Sequence, residues 1–138
     1  MKDIAHIPST CVMQTLRSAA RAVTGLYEAE LRKVDLTASQ FSAMVAIASA
    51  KGETVNGLAG HLGMDRTTLT RVLGPLERRS LVEIGADERD RRARVPTLTP
   101  QGKTLLREAA DYWNTAQAEA LHRLGGSWRE MQQTLGKL

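Results

Sequence analysis

Between Leu58 and Leu76 the chain reads LAGHLGMDRTTLTRVLGPL, two apolar stripes at helical spacing with almost nothing between them. Leu58, Ala59 and Leu62 make the first stripe. Leu69, Val72, Leu73 and Leu76, at i, i+3, i+4 and i+7, make the second. Gly63 is a helix stop, Met64 a link and Asp65 an N-cap. A short helix, a tight glycine turn and a capped second helix form a helix-turn-helix, which constrains everything placed around it. The second helix carries Gly74-Pro75 in its own interior. Pro75 removes the hydrogen bond to the carbonyl of Arg71 and is expected to bend the helix there, after its N-terminal half.

The flanks read with comparable clarity. The stretch PSTCVMQTLRSAARAVTGLYEAELRK carries Val12, Leu16, Ala19, Ala20, Val23, Leu26 and Leu31, an amphipathic helix. Ser9 or Thr10 is expected to cap it, with Cys11 in its first turn. Thr37 and Gln40 form a capping box, with Leu36 and Phe41 at the staple positions. The helix that follows, roughly Ala38 to Ala50, is apolar nearly all round (Phe41, Met44, Val45, Ile47) and is expected to be central and buried; Lys51-Gly52 stops it. Asn56 is the expected cap of the short helix. After the helix-turn-helix, LVEIGA and RVPTLT predict a β-hairpin closed by the charge-dense tip DERDRRA, with Pro96 tolerated only at an edge. Thr99 and Pro100 open a long helix that runs through Trp113 and Leu121 to Gly125-Gly126. Ser127 and Glu130 then cap a short last helix holding Trp128, Met131 and Leu135. The fold class is therefore mainly α with a small β-hairpin wing, in one compact domain.

Several function classes drop out. Single Cys11 forbids an intrachain disulfide and a cysteine-based zinc site. His6, His61 and His122 show no metal-ligand spacing, and no nucleophile motif or phosphate-binding glycine loop occurs, so neither catalysis nor a cofactor is expected. The N-terminal MKDIAHIPST has no signal-peptide core and no apolar run approaches membrane length, which makes a cytoplasmic protein without membrane contact the expectation. The net charge of +4 favours an anionic partner, and 14 of the 19 basic residues are Arg, the side chain whose planar fork suits phosphates and guanine edges.

Double-stranded DNA fits that pattern best. Arg66, Thr67, Thr68, Thr70 and Arg71 lie off the apolar stripe near the N-terminus of the second helix, the part that reads base edges when such a helix enters a major groove. The bland alternative is a solvated helix face. The wing tips the balance: Arg89, Arg91, Arg92 and Arg94 stand in or beside its tip, interleaved with Asp87, Glu88 and Asp90, and an arginine-bearing tip suits a narrow minor groove. The acids lower the local field but can hold the arginines in position. A winged-helix module for protein contacts is the rival, and it would carry an apolar patch on the second helix.

LTASQFSAMVAI, LAGHLGMDRTTLTRVLGPLERRSLVE, DERDRRAR and LTPQG, in that order and spacing, resemble the MarR family of winged helix-turn-helix regulators, over nearly the whole chain. The resemblance implies a homodimer built from interlocked terminal helices (1–36 and 100–138) around a DNA-binding region (37–99). It also implies palindromic operator DNA, usually repression, and release by a small aromatic ligand or an oxidant. By position it makes Arg66 to Arg71 the groove-reading segment and matches Asp90 and Arg92 to the family's Asp-x-Arg wing tip. Ser80 departs from the glycine the family usually places before LVE. Serine is costlier in a left-handed conformation, so a slightly different turn is expected there.

Cys11 has two readings. A thiolate near a helix N-terminus is favoured by the dipole, and some MarR-type regulators sense organic hydroperoxides through a cysteine near this end, which suggests a redox sensor. That branch sets tyrosines beside its cysteine, whereas Tyr27 lies more than four turns along the same helix, leaving Tyr112 or the partner subunit to supply one. The plainer reading is a small apolar residue of the dimer interface. A small aromatic acid in the cleft between terminal helices and winged helix, altering the spacing of the two recognition helices, is the favoured effector mode.

Overall fold

The computed structural model describes residues 3–138. Helix α1 (Ile7–Thr10) is followed by α2 (Val12–Leu31), α3 (Ala38–Ser49), α4 (Val55–His61) and α5 (Arg66–Arg78). Strands β1 (Val82–Ala86) and β2 (Arg94–Leu98) form an antiparallel ribbon in which Val82 faces Leu98 and Ala86 faces Arg94. The long α6 (Pro100–Leu124) and short α7 (Trp128–Leu135) complete the chain. The mainly helical fold with one hairpin is the expected class.

One core organises α3, α4, α5 and the ribbon. Leu31, Met44, Leu58, Leu69, Leu73, Leu76, Leu81 and Val82 are its fully buried large side chains. The α5 stripe is buried as its spacing requires, and the helix runs through Pro75 for another turn. Helix α2 packs along α6, where Ala109, Ala116 and Ala120 are buried. The capping box of α3 is complete: the Gln40 N–H donates to Thr37 Oγ1 at 3.1 Å and the Thr37 N–H donates to Gln40 Oε1 at 3.0 Å. A tertiary contact reinforces it, since the Ala38 N–H donates to Glu28 Oε1 of α2 at 2.8 Å. Pro96 stands opposite Ile84, and the bonds from the Thr99 N–H to Leu81 and from the Asp87 N–H to Ala93 set an alternation in which 84 and 96 are a non-hydrogen-bonded pair, so its missing N–H breaks no ladder bond.

Three segments end in the same way. Asp35 (φ 54°), Gly63 (φ 62°) and Ser80 (φ 57°) each adopt the left-handed conformation. In each case the next residue's N–H returns to a carbonyl five residues back: Leu36 to Leu31 at 3.1 Å, Met64 to Ala59 at 2.9 Å and Leu81 to Leu76 at 2.9 Å. Ser80 thus takes the geometry a glycine would have, and the different turn expected there does not occur. Thr99 Oγ1 donates to the Ser80 carbonyl at 2.6 Å and holds the turn.

Other local expectations change. The first helix is not continuous from Pro8. Cys11 sits in extended conformation (φ −76°, ψ 109°) between α1 and α2, as the N-cap of α2 and not in its first turn. The Ser9 and Thr10 hydroxyls donate back to the His6 carbonyl at 2.9 and 3.0 Å, so neither caps α2; short hydroxyl side chains compete in this way with helix continuation. Thr54, not Asn56, caps α4: its Oγ1 accepts from the Gly57 N–H at 3.1 Å, and buried Val55 draws the helix start forward. Val45 is 39% exposed, so α3 is not buried all round. Ser127 Oγ accepts from the Glu130 N–H at 3.4 Å, which makes half of the expected second capping box.

The junction of ribbon and α6 is the tightest place in the chain. A Cβ added at Gly102 would lie 2.0 Å from the Leu81 carbonyl oxygen, a rigid backbone neighbour. Gly102→Ala is expected to destabilise the fold by about 3 kcal/mol or more. Ser80→Gly, which relieves a left-handed serine, is expected to stabilise it by about 0.5–1 kcal/mol. Thermal denaturation followed by circular dichroism checks both, and equal shifts of one sign would contradict the reading of this junction.

Candidate nucleic-acid interface

The α4–α5 turn fixes the N-terminus of α5 in the open. Asp65 caps it, accepting the Thr68 N–H at 2.7 Å. That backbone bond first, then the Thr68 hydroxyl and the nearby Arg71 charge, hold the Asp65 carboxyl below the ordinary carboxylate range. With the folded value the lower of the two, the cap is intact at neutral pH and is lost only as pH falls through that lowered value.

Arg66, Thr67, Thr70 and Arg71 are exposed and together line one shallow hollow of about 550 Å³ on α5. Thr68, grouped with them by sequence, is half-buried and does not line it. A second hollow, about 220 Å³, is lined by Thr54, Val55 and Asn56 at the start of α4, by Arg66, and by Asp90, Arg92, Ala93 and Arg94 of the wing. Arg66 belongs to both and joins recognition helix to wing. Arg89 lies elsewhere, against a separate 790 Å³ concavity along β1.

The wing tip is folded by its acids. Asp87 Oδ1 accepts the Arg89 N–H at 3.3 Å, and Asp90 Oδ1 accepts the Arg92 N–H at 3.0 Å. The Ala93 N–H donates to the Asp90 carbonyl at 2.9 Å, and the Asp87 N–H to the Ala93 carbonyl at 3.0 Å. The aspartates thus act on the backbone of the turn rather than on guanidinium groups. Among the described residues the ion pairs are Lys33–Glu30 and Arg123–Glu119, with His61 lying 4.0 Å from Glu53, so none ties up Arg66, Arg71, Arg92 or Arg94. Four uncommitted guanidinium groups over two adjoining hollows suit phosphate oxygens and guanine edges.

Thr54 and Asn56 join the site through structure, and Arg94, expected beside the wing tip, lines the same hollow. Asn56 was legible only as a helix cap and Thr54 not at all, because their nearness to the wing is a tertiary fact. No three or more His, Cys, Asp or Glu side chains among the described residues are grouped to hold a metal, and no described helix is long and apolar enough to cross a membrane.

Comparison with known proteins agrees with this geometry. The sequence model of the MarR family matches residues 34–93, the span from the turn before α3 to the wing tip. The transcriptional regulator HosA of Escherichia coli O111:H- is 32% identical over 116 residues, 84% of each chain. The chain belongs to the MarR family. It is a DNA-binding transcriptional regulator and not an enzyme, as its family membership and relatives show. A crystal structure of the M. tuberculosis regulator MosR in complex with DNA superposes with a TM-score of 0.83 at 34% identity, covering 92% of both chains. The transcriptional activatory protein BadR of Rhodopseudomonas palustris is 35% identical over 96 residues, 67% of this chain and 50% of BadR.

We propose separable tasks for the two hollows. Arg71→Ala is expected to cost about 1–3 kcal/mol on the cognate site and to relax base discrimination. Arg92→Ala is expected to weaken cognate and random DNA alike and to flatten the salt dependence by about one counterion. Fluorescence anisotropy on both duplexes at several salt concentrations checks this. Equal losses from both variants on both duplexes would remove the division of labour.

Proposed function

We propose that the protein is a homodimeric, sequence-specific repressor that binds palindromic operator DNA and is released by a small aromatic acid. The single observation that carries DNA reading is the shared face of Arg66, Thr67, Thr70 and Arg71 beside Arg92 and Arg94. The rival protein-contact module needs an apolar patch on α5, and none of the exposed large hydrophobic residues belongs to that helix. Repression is the family's usual mode, although the relative BadR is named an activatory protein.

Dimerisation through residues 1–36 and 100–138 is supported by what the single chain leaves open. Helix α7 buries none of its residues, and Trp128, Met131 and Leu135 are 36–38% exposed. Ile7, Val12 and Met13 at the other end are 48–67% exposed. Burying both ends across a two-fold axis covers this apolar surface and spaces two recognition helices for a palindrome. Electrophoretic mobility shift with DNA from the protein's own promoter region is expected to give a sequence-specific band at moderate salt. Truncation after Gly126 is expected to lower both the dimer fraction in sedimentation and that band. A truncated chain that stays dimeric would contradict the assignment, and the absence of a specific shift for the full chain would favour the protein-contact reading.

The effector reading rests on a cleft of about 690 Å³ between α2, α3, α4 and α6. Val23, Leu31, Phe41, Val45 and Trp113 give it apolar and aromatic walls; Tyr27, Ser42 and His61 supply polar groups. The Tyr27 and Trp113 rings lie 6.4 Å apart, the Tyr27 hydroxyl donates to Gln117 Oε1, and burial raises the phenol's pKa, so it stays a neutral donor. An aromatic acid fits such walls, with its carboxylate toward His61. Cys11, half-buried at the α1–α2 break, is the competing effector site as a peroxide sensor. Cys11→Ser separates the two: peroxide is expected to affect operator binding of mutant and wild type equally, and loss of a peroxide response only in the mutant would make Cys11 the sensor.

A further inference from the structure

A groove beside α3 shares no lining residue with the effector cleft. It lies between the C-terminal end of α3, strand β2 and the first turns of α6, and encloses about 690 Å³. Its floor is apolar: Ile47 and Pro96 are buried and Leu106 half-buried. Its rim carries three exposed cations, Lys51, Lys103 and Arg107, and no carboxylate lines it. None of the three takes part in an ion pair among the described residues. Lys103 and Arg107 follow one another on a single face of α6, and the first turn of that helix holds no acid, so near Lys103 the helix dipole adds to the positive field instead of opposing it. Lys51 sits past the C-terminal end of α3, where the dipole offsets part of its charge, which places the strongest positive field at the α6 side.

From this juxtaposition we propose that the groove binds a small amphipathic monocarboxylate, an aromatic or acyl acid. Its apolar body covers Ile47, Pro96 and Leu106, and its carboxylate meets Lys103 and Arg107. A duplex backbone would use the cations and leave the floor wet, whereas an uncharged apolar molecule would leave the cations without a partner. The volume is in the range of small-molecule sites. The inference is independent of the effector cleft, which has different walls and a different polar group.

Naphthoate is a suitable probe, with naphthylmethanol as its neutral counterpart and inorganic phosphate as the bare anion. In amide chemical-shift titrations of the full chain, naphthoate is expected to move the signals of Lys51, Leu98, Lys103 and Leu106 in a saturable way. Naphthylmethanol and phosphate are each expected to bind there several-fold more weakly. Charge reversal in the double variant Lys103→Glu, Arg107→Glu is expected to weaken naphthoate at this groove by about tenfold while signals around Tyr27 and Trp113 respond as before. Both positions are exposed, and an unchanged thermal midpoint confirms that the variant folds; if it does not, Lys103→Gln with Arg107→Gln serves instead. Shifts confined to the Tyr27–Trp113 cleft, equal binding of the neutral probe, or equal binding by the double variant would each overturn the proposal. So would a loss of dimer in the double variant, which would assign the groove to a second copy of the chain.

Discussion

The architecture depends on one backbone contact, the approach of Gly102 to Leu81. There the chain has just left the recognition helix through the left-handed Ser80, has travelled out and back along the wing, and starts the long α6. Thr99 ties the crossing: its N–H donates to the Leu81 carbonyl at 3.1 Å, its hydroxyl donates to the Ser80 carbonyl at 2.6 Å, and its Oγ1 accepts the Gly102 N–H at 2.9 Å. Four residues thereby connect the end of α5, both wing strands and the helix that leads to α7. With Leu81 and Val82 fully buried beside them, α5 and the wing are held as one body. This matters for function because Arg66 and Arg92 line one hollow only if that body is rigid.

Around this fixed body the molecule is unequal in its packing. All of the buried Leu, Ile, Val, Phe and Met side chains among the described residues lie between Leu31 and Val82, whereas α1 and α7 bury none. A chain that buries its centre and leaves both ends apolar and exposed has the surface that the proposed homodimer would cover. The α2–α6 pair links the two regions, and Glu28 and Tyr27 on α2 reach α3 and α6 respectively. The proposed effector cleft occupies that same connection, where a bound molecule would act on the relation between the ends and the DNA-binding body.

What was legible in the sequence was the chemistry that acts locally. Thr37 with Gln40, Asp65, Thr99-Pro100 and Gly63 announce helix limits because each satisfies or redirects backbone groups within a turn of itself. The wing was legible from two short runs rich in Val, Ile, Leu and Thr on either side of a charged tip. The left-handed stop at Asp35 was not, and at Ser80 only the place of the turn was, since tertiary contacts help a non-glycine residue hold that conformation: Arg79 Nη1 donates to the Asp35 carbonyl at 2.6 Å, and Thr99 supports Ser80. The break at Cys11 was hidden in the same way by a choice of partner for the Ser9 and Thr10 hydroxyls. At the site, the face shared by Arg66 and Arg71 followed from helical spacing. The meeting of Asn56, Arg66 and Arg92 did not, because it joins three segments that only the closed core brings together.

Hydroxyl-radical footprinting of the intact protein on its own promoter DNA tests the central claim most directly, because it reads groove, wing and dimer at once. The account predicts two symmetry-related protected patches whose centres lie about 10 base pairs apart, or a multiple of that, with two chains per site and flanking protection on the minor-groove side from the wings. A single asymmetric patch occupied by one chain, or uniform protection with no preferred position at moderate salt, would contradict it.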